Sequence, residues 1–226
     1  MDISNTDLID EYLMELYSEQ KYEDGLGEYA RNEDSVEFND ITIQQSESLL
    51  QQKSTGGVIW RATPLFSSWI LKSELRSLVQ DKTVVELGSG TGALAMLLAN
   101  FANKIIATDQ KPLLKLLKRN CSANNIEIQE FDWVDDDFGG VEDEGCIITC
   151  DTIYNDYLID HLINAILSVM ESSPNIKSAI VCVQLRVYEI MDRALNAFAM
   201  KFNTVKAYKV GLGVECYLLE DPIQLN

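Results

Sequence analysis

The sequence predicts an α/β fold, a doubly wound and mostly parallel seven-stranded sheet with a C-terminal antiparallel strand pair and an N-terminal extension. Three observations predict it. From residue 81 onward, short β-branched runs alternate with longer amphipathic stretches. One run, Cys146 to Cys150, carries no charge, as a strand covered on both faces requires. The first of these strands opens into a turn crowded with glycine.

The elements follow in order. Leu8, Ile9, Tyr12, Leu13, Leu16 and Tyr17 recur at helical spacing, with Asp7 placed as N-cap. Residues 22–40 are polar, acidic and weakly periodic, so a loop or a partly disordered segment is expected there. Ile41 to Ile43 suits a short strand, and Gly56-Gly57 breaks the chain before the apolar, aromatic segment Val58 to Leu71. Residues 1–53 are thus assigned to an acidic extension and 54–226 to the main domain. In that domain strands are expected at 83–87, 104–108, 126–128, 146–150 and 179–183, with helices at 93–102, 113–124, 157–170 and 188–202. Residues 205–210 and 214–219 flank Gly211-Leu212-Gly213 and read as the antiparallel pair.

Charge narrows the partners. The net charge is -18, and residues 1–55 hold 14 acids against 3 bases, or -11 of it. A nucleic-acid binder needs a basic surface, so no direct nucleic-acid contact is expected. An acidic segment attracts a basic protein, or simply keeps the chain soluble. No apolar run approaches the ~18 residues of a membrane span, and the first residues lack the pattern of a signal peptide, so a cytoplasmic monomer, with nuclear entry left open, is expected. The five cysteines form no Cys-x-x-Cys pair and read as reduced, buried thiols. His161 is the single histidine and suits a helix, so no metal site or Ser-His-Asp triad is expected.

The strongest local signal is Glu86-Leu87-Gly88-Ser89-Gly90-Thr91-Gly92, set between a strand and a helix. Glycines there let the backbone turn sharply and approach a ligand. Asp109 ends the next strand, where a carboxylate accepts hydrogen bonds from both ribose hydroxyls. A dinucleotide and S-adenosylmethionine both fit this outline, as does a plain tight turn. Two details favour S-adenosylmethionine. The spacing is Gly-x-Gly-x-Gly rather than the pyrophosphate fingerprint, and Glu86 is awkward beside a pyrophosphate but suits a sulfonium and an ammonium.

Further segments carry a family resemblance: Gly57-Val58-Ile59-Trp60, Val85 to Gly92, Thr108-Asp109-Gln110, Phe131-Asp132-Trp133 and Cys150-Asp151-Thr152-Ile153-Tyr154. Together they resemble methyltransferase family 16, the seven-strand protein lysine methyltransferases of Rossmann-like fold. Within it, Gly57 to Leu71 and Asp151 to Asp160 are most similar to the fungal ribosomal lysine N-methyltransferase 5 group, thought to act on a large-subunit ribosomal protein of the tRNA-exit stalk. The resemblance implies roles. Trp60 lies beside the cofactor; Gly88, Ser89 and Gly90 wrap its amino-acid end, with Glu86 a further cofactor-binding candidate from its own chemistry. Asp109 binds the ribose, Trp133 meets the adenine region, and Cys150 lines the pocket near the activated methyl. Asp151 and Tyr154 form the Asp-x-x-Tyr motif at the lip, as catalytic residues. Simpler readings stand beside these: core aromatics for Trp60 and Trp133, a loop cap for Tyr154, and a helix N-cap for Asp151. Gln184-Leu185-Arg186 also fits the resemblance, but Arg61 and Arg186 are read as surface residues and left out of the site.

A lysine must reach the methyl as a neutral amine, which at pH 7 costs about 4.6 kcal/mol from its reference pKa. An ionised Asp151 beside it would raise that cost, so its expected role is to attract and orient the lysine, with Tyr154 positioning it. A translation factor or another folded protein is the alternative acceptor. A non-catalytic cofactor-binding module and a dehydrogenase are the remaining alternatives.

Overall fold

The computed structural model describes residues 1–19, 29–30, 33–38, 40–51, 55–123 and 125–223. A 3-10 turn, Thr6–Leu8, leads into α1 (Ile9–Glu19). Strands β1 (Ser35–Phe38) and β2 (Ile41–Gln44) pair antiparallel as a small separate sheet. Helices α2 (Glu47–Gln51), α3 (Ala62–Ile70) and α4 (Arg76–Val79) follow. The main domain then runs β3 (Thr83–Leu87), α5 (Ala93–Leu98), β4 (Lys104–Asp109), α6 (Leu114–Asn120), β5 (Ile126–Glu130) and β6 (Gly145–Cys150). It closes with α7 (Asp156–Ser172), β7 (Ile176–Gln184), α8 (Tyr188–Lys201), β8 (Phe202–Gly211) and β9 (Val214–Pro222).

The seven main strands lie in the order β5-β4-β3-β6-β7-β9-β8. Strands β3 to β7 pair in parallel, while β9 runs antiparallel between β7 and β8. From β3 the chain winds outward to β4 and β5, then returns to place β6 on the other side of β3. The connections leaving β3 and β6 therefore diverge and open a crevice at the carboxyl ends of these strands.

Period-two alternation on the buried strands makes two cores. Val85, Ile147, Val181 and Tyr217 face one side, where α1, α7 and α8 supply Leu13, Ile166 and Phe198. Val84, Ile148, Cys182 and Cys216 face the other, against Phe66 of α3 and Leu94 of α5. Cys150, Cys182 and Cys216 stand side by side across β6, β7 and β9, all as free thiols.

The N-terminal residues are part of this packing. Ile3, Ile9 and Leu13 are fully buried in the first core. Residues 1–4 also run along the outer edge of β8, where Ile3 N–H donates to Val205 O at 2.8 Å and Ala207 N–H to Met1 O at 2.7 Å. The cap of the first helical turn is Asn5, whose side chain accepts from Asp7 N–H, and not Asp7 itself. Within the expected loop at 22–40, residues 35–38 form a strand, because Val36 has Ile43 as its cross-strand partner and both are buried; residues 22–28, 31–32 and 39 lie outside the described residues. Helix α5 stops at Leu98, short of the expected 102: the Asn125 side chain donates to the carbonyls of Ala99 and Ala102.

Helix α6 ends at Asn120, and this residue ties the small sheet to the main one. Its Oδ1 accepts from Gln44 N–H at 2.9 Å, and its Nδ2 donates to Gln44 O and Thr91 O at 2.8 Å each. Asn120→Leu leaves the buried Thr91 carbonyl and the half-buried Gln44 N–H and carbonyl unpaired and should destabilise the fold by about 1–3 kcal/mol. Urea unfolding reads this; a loss under about 0.5 kcal/mol would show the link to be dispensable.

Candidate active site

The turn after β3 works only with glycine. Gly88, Gly90 and Gly92 have φ of +74°, +55° and +80°, the left-handed region that Cβ disfavours. Space is also closed: a Cβ on Gly88 would lie 2.9 Å from Thr152 Cγ2 and 3.3 Å from Trp133. A Cβ on Gly90 would lie 2.9 Å from the Gly56 carbonyl oxygen. The end of β4 fixes the turn. Thr108 O accepts from Gly88 and Ser89 N–H at 3.1 and 2.9 Å, and Thr108 Oγ1 donates to Glu86 O at 2.7 Å.

Two buried acids stand over this turn. Asp109 Oδ2 accepts from Gly90 N–H at 2.7 Å and its Oδ1 from Gln110 N–H at 2.8 Å, leaving a lone pair free on each oxygen. Burial raises its pKa to about 6, against the lowering effect of the two N–H groups. Burial likewise raises Glu86 to about 7; the nearby Ser89 hydroxyl pulls it back and Asp109 pushes it further up. Glu86 Oε2 and Ser89 Oγ are buried without a well-aligned hydrogen-bond partner. Open acceptors and a tight glycine cradle suit a ligand that brings hydroxyl and ammonium donors, as the nucleoside and amino-acid ends of S-adenosylmethionine do.

The opposite wall comes from the end of β6. Cys150 Sγ lies 3.9 Å from Thr63 Oγ1 of α3. Asp151 adopts φ +58°, with its N–H donating to Cys182 O at 2.8 Å. The Asp151 carboxylate is wholly buried, and both its oxygens accept from Arg186, at 2.7 Å each. The N-cap of α7 is Asn155, which accepts from Leu158 N–H at 3.0 Å, so Asp151 serves no cap. Tyr154 is 38 % exposed at the lip, and its hydroxyl accepts from Thr55 Oγ1 at 3.2 Å. Trp60 Nε1 donates to Thr55 O at 3.2 Å, and the Arg186 guanidinium lies 5.3 Å from the Trp60 ring centroid.

All ten residues singled out from the sequence border one cleft: Trp60, Glu86, Gly88, Ser89, Gly90, Asp109, Trp133, Cys150, Asp151 and Tyr154. The sequence reading gave no role to Thr55, Thr63 or Gln110, which line the same cleft, and set aside Arg186. A signal for Arg186 existed: it follows the carboxyl end of β7, the strand that flanks β6. The expectation that Asp151 offers its charge to a lysine meets a structure in which Arg186 already holds that charge.

Residues 37–198 match the model of a family described as lysine methyltransferase. The chain belongs to that family. Its place is among enzymes that transfer a methyl group from S-adenosylmethionine to protein lysine. Several fungal proteins named ribosomal lysine N-methyltransferase 5 are similar to it. That of Zygosaccharomyces rouxii is 28% identical, with 72% of this chain and 71% of the relative covered. A Schizosaccharomyces pombe protein named diaminohydroxyphosphoribosylamino-pyrimidine deaminase is also 28% identical, over 77% of this chain; the chain spans only 47% of that relative. Among solved structures, human N-acetylserotonin methyltransferase in complex with SAM shares the fold, with a TM-score of 0.54 at 16% identity, covering 94% of this chain and 66% of that one.

The two raised carboxylates give the lysine methyltransferase a defined pH dependence. Glu86 and Asp109 are neutral at low pH and ionise through about pH 7 and about pH 6. A ligand that donates hydrogen bonds to carboxylates favours their ionised forms, so its affinity rises with pH through that window and levels off above it. Calorimetry with S-adenosylhomocysteine from pH 5 to 8.5 checks this, and Glu86→Gln should remove the upper step. Equal affinity at both ends of the range would contradict it.

Proposed function

We propose that this chain methylates a lysine of a ribosomal protein, specifically one of the large subunit's tRNA-exit stalk. The observation that carries the reading is the similarity to fungal ribosomal lysine N-methyltransferase 5, which spans most of both chains. The net charge of -18 favours a basic acceptor of that kind. We place the reaction in the cytoplasm and treat the enzyme as a monomer. Among the described residues no helix is long and apolar enough to cross a membrane.

When bound, S-adenosylmethionine supplies an activated methyl on a sulfonium. The protein's task is position and electrostatics. Asp109 would take the ribose hydroxyls on its free lone pairs, and Glu86 and Ser89 would receive the amino-acid end. Trp60 would lie beside the cofactor, Trp133 would meet its adenine region, and Cys150 would line the pocket near the activated methyl. Tyr154, at the exposed lip, guides the acceptor inward. Apolar enclosure then favours the amine over the ammonium.

Labelled cofactor and fractionated ribosomal proteins test the target. Label is expected in one basic large-subunit protein, as methyl-lysine by mass spectrometry. Label confined to a non-ribosomal protein would move the reading to another acceptor.

The acidic N-terminal segment bears on capture. Deleting it would strip Ile3, Ile9 and Leu13 from the core, so recruitment needs a gentler test. Asp7, Asp10, Glu11 and Glu15 are exposed at and along α1. Neutralising all four to Asn or Gln should raise KM several-fold at low salt, with the difference fading above about 0.3 M salt. A KM identical to wild type at low salt would mean these charges do not recruit.

A further inference from the structure

The two ends of the Asp-x-x-Tyr motif are joined outside the motif. From Asp151 the path runs through paired hydrogen bonds to Arg186, then across 5.3 Å to the face of Trp60. It continues from Trp60 Nε1 to Thr55 O and from Thr55 Oγ1 to the hydroxyl of Tyr154. Arg186 is the keystone of this bracket. It joins the end of β6 to the segment before α3, and its side chain is 24 % exposed while that of Asp151 is wholly buried.

Asp151 has little freedom to do anything else. Its backbone is held at φ +58° by the bond to Cys182 O, and its Oδ1 also accepts from Gln184 N–H at 3.2 Å. A forked guanidinium–carboxylate pair is strong and directional. For a lysine, such a pair differs sharply from a bare carboxylate. A carboxylate alone would bind the ammonium and keep its proton on. Paired with Arg186, the net charge at that point is close to zero, and an ammonium gains nothing by losing its water there.

We propose that Arg186 is a positioning residue that keeps the Asp151 charge cancelled in the wall of the cleft, so that the acceptor lysine is received as the neutral amine. This rests on a lysine acceptor but not on which protein carries it. The proton is lost to bulk water before transfer; the amine lone pair would then form the N–C bond as the methyl's bond to the sulfonium breaks, its electron pair leaving with the sulfur as a neutral thioether.

Arg186→Met in the full chain, assayed with whichever protein takes label above, tests the assignment. An unpaired Asp151 should now attract the ammonium. With S-adenosylhomocysteine present, acceptor binding at pH 7 should tighten about tenfold, while kcat at pH 7 falls about tenfold and recovers toward pH 9–9.5. The acid limb of the pH–rate profile moves up by about one unit, as one nearby opposite charge does. Affinity for S-adenosylhomocysteine alone should stay within about threefold of wild type. Binding and kcat that fall together, with the profile unmoved, would make Arg186 a mere strut and overturn the proposal. If Arg186→Met does not fold, the pair Asp151→Asn/Arg186→Met removes both charges and should keep the wild-type position of the profile; a displaced profile there also overturns it. Label in a non-ribosomal protein would sink the ribosomal target and leave these expectations as they stand.

Discussion

A single hydrogen bond, from Gly90 N–H to Asp109 Oδ2, organises the cofactor half of the cleft. It ties the turn after β3 to the tip of β4. Together with the Thr108 contacts it holds three residues of the turn against the neighbouring strand. On that side stand the positive φ angles of the turn and, beneath it, Glu86 Oε2 and Ser89 Oγ without a well-aligned partner; burial, working against this hydrogen bond, raises the pKa values of the two acids that share the corner. Such a corner is unfavourable in an empty protein. Its ligand relieves it by bringing the donors the fold withholds.

The acceptor half is organised differently. There the fold supplies its own counter-ion, Arg186, and leaves the lip to an exposed tyrosine. One wall is poised to be satisfied by a ligand, and the other is already satisfied without one. This division matches a site that must hold a charged cofactor firmly and accept a side chain only after that side chain has given up its charge.

Much of this was legible in the sequence because it rests on local chemistry. Glycine spacing announced the turn, and Asp109 at the end of the next strand announced its partner. Cys150 to Tyr154 placed the second wall. Strand and helix positions followed from apolar periodicity, and the order of the main elements held throughout. What escaped depends on contacts distant in sequence. The Asp151–Arg186 pair spans 35 residues, and Asn120 reaches 76 residues back to Gln44. Neither a lone arginine after a strand nor an asparagine at a helix end declares its partner. The N-terminal segment misleads for another reason: its charge dominates its composition and hides the few aliphatic residues that enter the core.

Residues 1–4 lie along β8, and Val205 N–H donates to Ser4 Oγ across 201 positions of sequence. That contact covers a sheet border that would otherwise present a row of unpaired amides to any passing extended chain. Closing so wide a loop carries a large entropy cost, so a chain whose first four residues were lifted off β8 would offer that border to its own copies.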